Sequence, residues 1–187
     1  MNKGFYPIFA EVFMGEKLFV RCLQMTVRLE KATEADAEAI WDLQVKAFAP
    51  LLEKYQDYDT NPANEKMDRV IARINHPAGG FYKIVHGDML AGAICAYWKG
   101  SETEYWISPM FISPEFQGKG IAQSALRLIE STFPQAVTWE LWTIREEERN
   151  LHLYEKMGYR KLGEEQILNE KASLVHYIKI TGAENKK

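Results

Sequence analysis

The residues best placed to do chemistry lie between Met110 and Ala122. The chain there reads Met110-Phe111-Ile112, then Ser113-Pro114-Glu115-Phe116, then Gln117-Gly118-Lys119-Gly120-Ile121-Ala122. An apolar strand pattern passes through a short loop into a run where Ile121, Ala122, Ala125, Leu126 and Ile129 share one helical face. Glycine has no Cβ, so a ligand can come close to the backbone at Gly118 and Gly120. The first amides of a helix lack internal acceptors and sit at the positive end of its dipole. The place therefore suits an anion such as a phosphate, with Lys119 as an added positive charge. Two other readings stay open: a purely structural strand-to-helix turn, and a dinucleotide fingerprint with Glu140 as its ribose-binding acid. The second lacks its third glycine, where Gln123 stands, and has a Pro-Glu-Phe loop between strand and motif. A triphosphate-binding loop is excluded, because Lys119 is followed by Gly120 and not by Ser or Thr.

The elements that must position this loop can be read in order. Thr26 to Glu30 alternates polar and apolar as a short strand. Thr33, with Asp36 three residues on, starts a helix carrying Ala37, Ile40, Trp41, Gln44 and Phe48, which Pro50 closes or bends. Leu51 to Asn61 is aromatic and acidic, and Asn61-Pro62 signals a turn. Glu65 to Ile74 reads as a second helix, and His76 to Gly80 as a loop. Phe81–Val85 and Met89–Trp98 form a hairpin about His86-Gly87-Asp88. Tyr105–Ile112 is the next strand, and Pro109 within it marks an edge or a bulge. Phe133-Pro134 ends the helix that follows the glycine loop. Val137–Ile144 is a strand with Trp139 and Trp142 on opposite faces. Glu147–Met157 is a helix capped by Gly158, and Arg160–Leu168 and Ala172–Ile180 are the closing strands. The pattern predicts an α/β (α+β) domain around a mixed central sheet, antiparallel at its start.

Bulk properties narrow the function classes. A chain of 187 residues fits one domain with a real core, and a net charge of -3 argues against a broad nucleic-acid footprint. No apolar run is long enough to span a membrane. The two cysteines, Cys22 and Cys95, have neither metal-ligand nor disulfide-framework spacing, which fits a reducing cytoplasmic setting, and no metal is expected. Residues 1–24 carry scattered aromatics broken by charges and are expected to be an extension of unassigned role. The domain itself is expected at 25–181, and 182–187 as a polar tail.

Gln117–Ala122 resembles the acyl-coenzyme A motif of the GCN5-related N-acetyltransferases (GNAT): Gln or Arg, two residues, Gly, one residue, Gly or Ala. Met110-Phe111-Ile112-Ser113-Pro114 matches that family's fourth strand and following loop. Leu153-Tyr154-Glu155-Lys156-Met157-Gly158-Tyr159 is similar to its closing signature. The resemblance runs from about Met25 to Ile180 and is weaker before Phe81. It implies a mixed, mostly antiparallel sheet with helices on both faces and a splay between the fourth and fifth strands. It implies acetyl-coenzyme A as cosubstrate and an acetyl group passed directly to a primary amine of a small molecule or peptide. A non-catalytic module that binds an acyl-coenzyme A or a peptide is the alternative on the same fold.

By the same resemblance, Met110, Phe111 and Ile112 hold the pantetheine arm, and Gln117, Gly118, Lys119, Gly120, Ile121 and Ala122 hold the pyrophosphate. Tyr154 is the general acid for the departing thiolate. Asn150 is a cofactor contact or a helix-orienting residue, and Glu147 occupies the commoner spacing for that contact. The acceptor amine must also lose a proton before it attacks. Glu140 and Glu104 are candidates to take that proton, with neither singled out. Phe48, Leu51, Tyr55, Asp57 and Tyr58 form an aromatic and acidic group suited to a cationic acceptor, and Trp98, Trp106 and Trp142 are candidates to line the gap. His76, His86 and His152 read as structural or surface residues. A homodimer paired through the aromatic C-terminal strands is a further expectation.

Overall fold

A computed structural model describes residues 26–181. The expectations for residues 1–24 and 182–187 lie outside them. The chain runs β1 (Val27–Lys31), α1 (Ala37–Tyr55), α2 (Met67–Ile74), β2 (Gly79–His86), β3 (Met89–Trp98), β4 (Glu104–Ile112), α3 (Ile121–Thr132), β5 (Thr138–Ile144), α4 (Glu148–Lys156), β6 (Arg160–Asn169) and β7 (Ala172–Ile180). The seven strands form one sheet in the order β1-β2-β3-β4-β5-β7-β6. Every neighbouring pair is antiparallel except β4–β5, which is parallel.

Strand alternation divides the core between two faces. On one, Phe81, Ala93, Cys95 and Phe111 meet Ile40 of α1 and Val70 and Ile74 of α2. On the other, Tyr82, Ile84, Ile94, Tyr105, Trp139 and Tyr177 meet Ile121, Ala125, Leu126 and Ile129 of α3 and Tyr154 of α4. The predicted layers, with helices on both faces of a mixed sheet, are therefore present. Among the described residues no helix is long and apolar enough to cross a membrane.

Local chemistry explains most of the boundaries. The Asp36 carboxylate accepts from the Thr33 amide at 2.8 Å and from its hydroxyl at 3.0 Å, fixing the entry to α1. In the β2–β3 hairpin Gly87 takes φ 62, the left-handed setting that a two-residue turn of this kind requires. Three expectations need correction. Pro50 does not close α1, which continues to Tyr55. A proline removes one helical hydrogen bond, but the turn beyond it is anchored by Lys54 and Tyr55, both of which bond Glu147. Second, α2 starts at Met67 and not at Glu65. Glu65 turns its carboxylate to Arg73, one oxygen lying 2.7 Å from Nη2, while its carbonyl accepts from the Trp41 indole at 2.8 Å. Third, Gly79 and Gly80 belong to β2 and not to the preceding loop. A Cβ on Gly79 would stand 2.1 Å from the Ala96 carbonyl oxygen, so the close strand approach needs glycine there.

Candidate functional site

The sheet opens between its two parallel strands. Only Glu104–Trp106 of β4 pairs with β5, against Thr138–Glu140. Beyond that point β4 continues to Ile112 and β5 to Ile144 without pairing to each other. On its other side β4 is kinked. Ile107 pairs with Ala96 and Met110 with Ile94, so Ser108 and Pro109 together oppose Cys95. Pro109 therefore marks a bulge. The edge reading is excluded, because β4 lies in the interior of the sheet. Proline has no amide to donate, and a bulge is where a strand tolerates that loss.

A cavity of about 550 Å³ lies beside β4, with α4 on its lining. It is lined by Met110, Phe111 and Ile112 of β4, by Gln117, Gly118, Gly120, Ile121 and Ala122, and by Asn150 and Tyr154 of α4. Phe48, Leu51 and Lys54 of α1 roof it. Ten of the eleven site residues expected from sequence thus share one wall system. The exception is Lys119, whose exposed side chain lies with its ammonium 5.1 Å from the centre of the Phe116 ring.

The glycine loop is shaped as the sequence requires. Gly118 and Gly120 have φ of 75 and 76, and no atom stands within 4 Å of a Cβ built on either. The Gln117 amide bonds the Pro114 carbonyl and the Ser124 amide bonds that of Gly120; the amides of residues 118 to 123 have no acceptor among the described residues. No acidic residue sits in the first turn of α3. Gln117 braces the loop by donating its side-chain amide to the Ile112 carbonyl at 3.1 Å.

Tyr154 is 8% exposed, and burial pushes its phenol up to about 12. Among the described residues its hydroxyl makes no hydrogen bond, although its ring packs against Tyr159 and Tyr177. The Asn150 amide nitrogen of the backbone bonds the Glu147 carbonyl at 2.9 Å, and its side chain faces the cavity wall. Glu147 also lines the cavity, but its carboxylate is already paired. One carboxylate oxygen accepts from Lys54 Nζ and from the Tyr55 hydroxyl, both at 2.7 Å. Burial works to raise this carboxyl, but those two donors hold it below the ordinary range.

The expected acceptor group disperses. Phe48 and Leu51 line the cavity, whereas Tyr55 is tied to Glu147. Asp57 organises its own turn by accepting from the Thr60 amide at 3.1 Å and hydroxyl at 2.5 Å, and Tyr58 is exposed. Trp98 packs toward the α3 face, away from the others. Trp106 and Trp142 lie together on the opposite face, stacked on His176. Glu104 is exposed at the start of β4, while Glu140 reaches His176. His152 is exposed, His76 accepts from the Ala78 amide, and His86 lies beside Phe116. His176 is the residue that sequence reasoning missed. Its position in β7 shows only strand alternation, and nothing local reveals that β5 lies alongside.

Comparison with known proteins adds an independent line. The model of the family described as "Acetyltransferase (GNAT) family" matches residues 38–159. The uncharacterized protein YrkN of Bacillus subtilis (strain 168) is 32% identical over 137 residues, which is 71% of this chain and 72% of that protein. Among solved structures, a GNAT family acetyltransferase from Streptococcus agalactiae 2603 superposes with a TM-score of 0.69 at 16% identity, over 83% of this chain and 95% of that one. The ribosomal-protein-S18-alanine N-acetyltransferase of Escherichia coli superposes with a TM-score of 0.67 at 10% identity, over 87% and 99%.

Proposed function

The chain belongs to the GNAT family of acetyltransferases, and from that premise we propose that it moves an acetyl group from acetyl-coenzyme A to a primary amine of a small molecule or peptide. One observation carries this reading: a cavity beside the unpaired part of β4 is lined both by the loop whose amides have no acceptor among the described residues and by a buried phenol. The residues present fit such a carrier. A pyrophosphate would take the amides of residues 118 to 123 at the α3 terminus, with the left-handed glycines leaving its approach clear. A pantetheine arm would lie along Met110 to Ile112, where the β4 backbone facing β5 has no strand partner. The thioester supplies an activated acyl group when bound.

The chain's own residues meet the remaining needs. Those β4 backbone amides between Met110 and Ile112 that face away from β3 would be the donors to a carbonyl oxygen that gains negative charge. Tyr154 stays protonated at neutral pH and so has a proton to give to a departing thiolate. A primary amine as acceptor is consistent with the S18 alanine enzyme, which by its name acetylates an alanine of a ribosomal protein. Titration calorimetry with coenzyme A, followed by thiol release against a panel of polyamines, amino acids and peptides, tests the proposal. Binding with thiol release from some of the panel is expected. Tight binding with no release from any amine would favour a non-catalytic module, and no heat with coenzyme A would overturn both.

A further inference from the structure

Among the described residues that line the cavity, Glu147 brings the one carboxylate. Under the acyl-coenzyme A reading, on which this inference rests, that is a conflict, because the same lining is to hold a diphosphate. Partly buried charges are screened far less than charges across open water. A bare carboxylate in this wall would therefore oppose the ligand.

The last turns of α1 resolve the conflict. Ala47, Leu51 and Lys54 fall at helical spacing on one stripe, and all three line the cavity. Lys54 Nζ reaches Oε1 of Glu147 at 2.7 Å, with the lysine side chain 57% exposed and the glutamate 18%. Lys54 is not needed to hold that turn of α1 in place. The Tyr55 hydroxyl bonds the same carboxylate oxygen, Asn169 at the end of β6 donates to the Tyr55 carbonyl at 3.0 Å, and Lys171 donates to Oε1 of Gln56 at 2.7 Å. An ion pair with so exposed a lysine adds little to stability in any case. What it changes is the charge of the wall. Arg149 is the other cation of the lining and acts on Glu147 through space. With Lys54 offsetting Glu147, the positive charge of Arg149 is left over for an anionic ligand.

We propose that Lys54 is a positioning residue for the carrier, acting through Glu147: it cancels the one negative charge of the lining and draws that carboxylate to α1, so that the cavity admits a polyanion. A cavity wall with Glu147 unpaired would be neutral overall; with the pair in place it is positive.

The test is calorimetry with coenzyme A on the full-length protein, comparing the wild type with Lys54→Met, Glu147→Gln and the double variant, each first checked for melting temperature. Lys54→Met leaves Glu147 charged and should weaken binding about tenfold at low salt, the order expected of one uncompensated charge across a cavity. Glu147→Gln keeps an acceptor for the Tyr55 hydroxyl but removes the charge, and should bind about threefold more tightly or better. The double variant should return to within about threefold of the wild type, because the two changes in charge cancel. Raising salt from about 0.05 M to about 0.5 M should shrink the gap between Lys54→Met and the wild type. A mechanical latch behaves differently: breaking it from either side weakens binding, and the double variant recovers nothing. Weaker binding by Glu147→Gln, a double variant as weak as Lys54→Met, or a gap indifferent to salt would overturn the proposal. Should Lys54→Met melt early, the sign of the Glu147→Gln change decides alone. Failure of the wild-type protein to bind coenzyme A would instead remove the reading on which the proposal rests.

Discussion

At Tyr154, packing and the proposed chemistry pull the same way. Burial that secures the ring in the core also keeps the phenol protonated, at about 12. An acid must hold its proton to work, so activity should not fall on the alkaline side near 10, where an ordinary phenol titrates. Tyr154→Phe should reduce turnover by about 100-fold and leave coenzyme A affinity within about twofold, measured by steady-state kinetics and calorimetry. A second residue-scale prediction concerns Glu65 and Arg73, whose side chains are 18% and 19% exposed. Burial opposes charge on Glu65, but hydrogen bonding and attraction from Arg73 prevail and lower its pKa from 4.5. A carboxyl lowered on folding stabilises fully above its unfolded pKa and loses that contribution as pH falls through the folded one. Arg73→Met should therefore cost about 3 kcal/mol in denaturant titrations at neutral pH, and the deficit should shrink below about pH 4. The role of Glu65 was not legible in sequence, because its partner lies a helix away and its position looked like the first turn of that helix.

The element scale separates what a short window can reveal from what it cannot. The start of α3 was readable, because a glycine with φ of 76, free amides and an apolar stripe are all local properties. Gly120→Ala would meet no atom, since the space above is open, yet must force an L residue into the left-handed region. The expected cost is about 1–2 kcal/mol in chemical denaturation, with weaker coenzyme A binding by calorimetry as the loop relaxes away from its setting. The end of α1 was not readable. Its last turn, beyond Pro50, is held by Glu147, which lies at the opposite end of the chain's long sheet excursion. The bulge in β4 was half readable: Pro109 announced an irregularity, but only the neighbouring strands on both sides rule out an edge.

Across the whole molecule, the layers followed from periodicity and the family resemblance, whereas the traffic between distant strands did not. That β7 lies between β5 and β6, which brings His176 onto Glu140, is a fact of topology. The same topology joins the β1–β4 half of the sheet to the β5–β7–β6 half by a ladder of Glu104–Trp106 with Thr138–Glu140. A carrier that binds only the folded protein raises its stability by about 2.7 kcal/mol at 100 times its dissociation constant. Melting temperature should therefore climb with coenzyme A concentration, and an unchanged melting curve at saturating ligand would count against occupation of the fork. Such a short ladder makes the middle of the protein a seam. Whatever wedges into it acts as a keystone, tying the two flanks where their ladder stops, while the shared core beneath α3 already clamps them together on the other face.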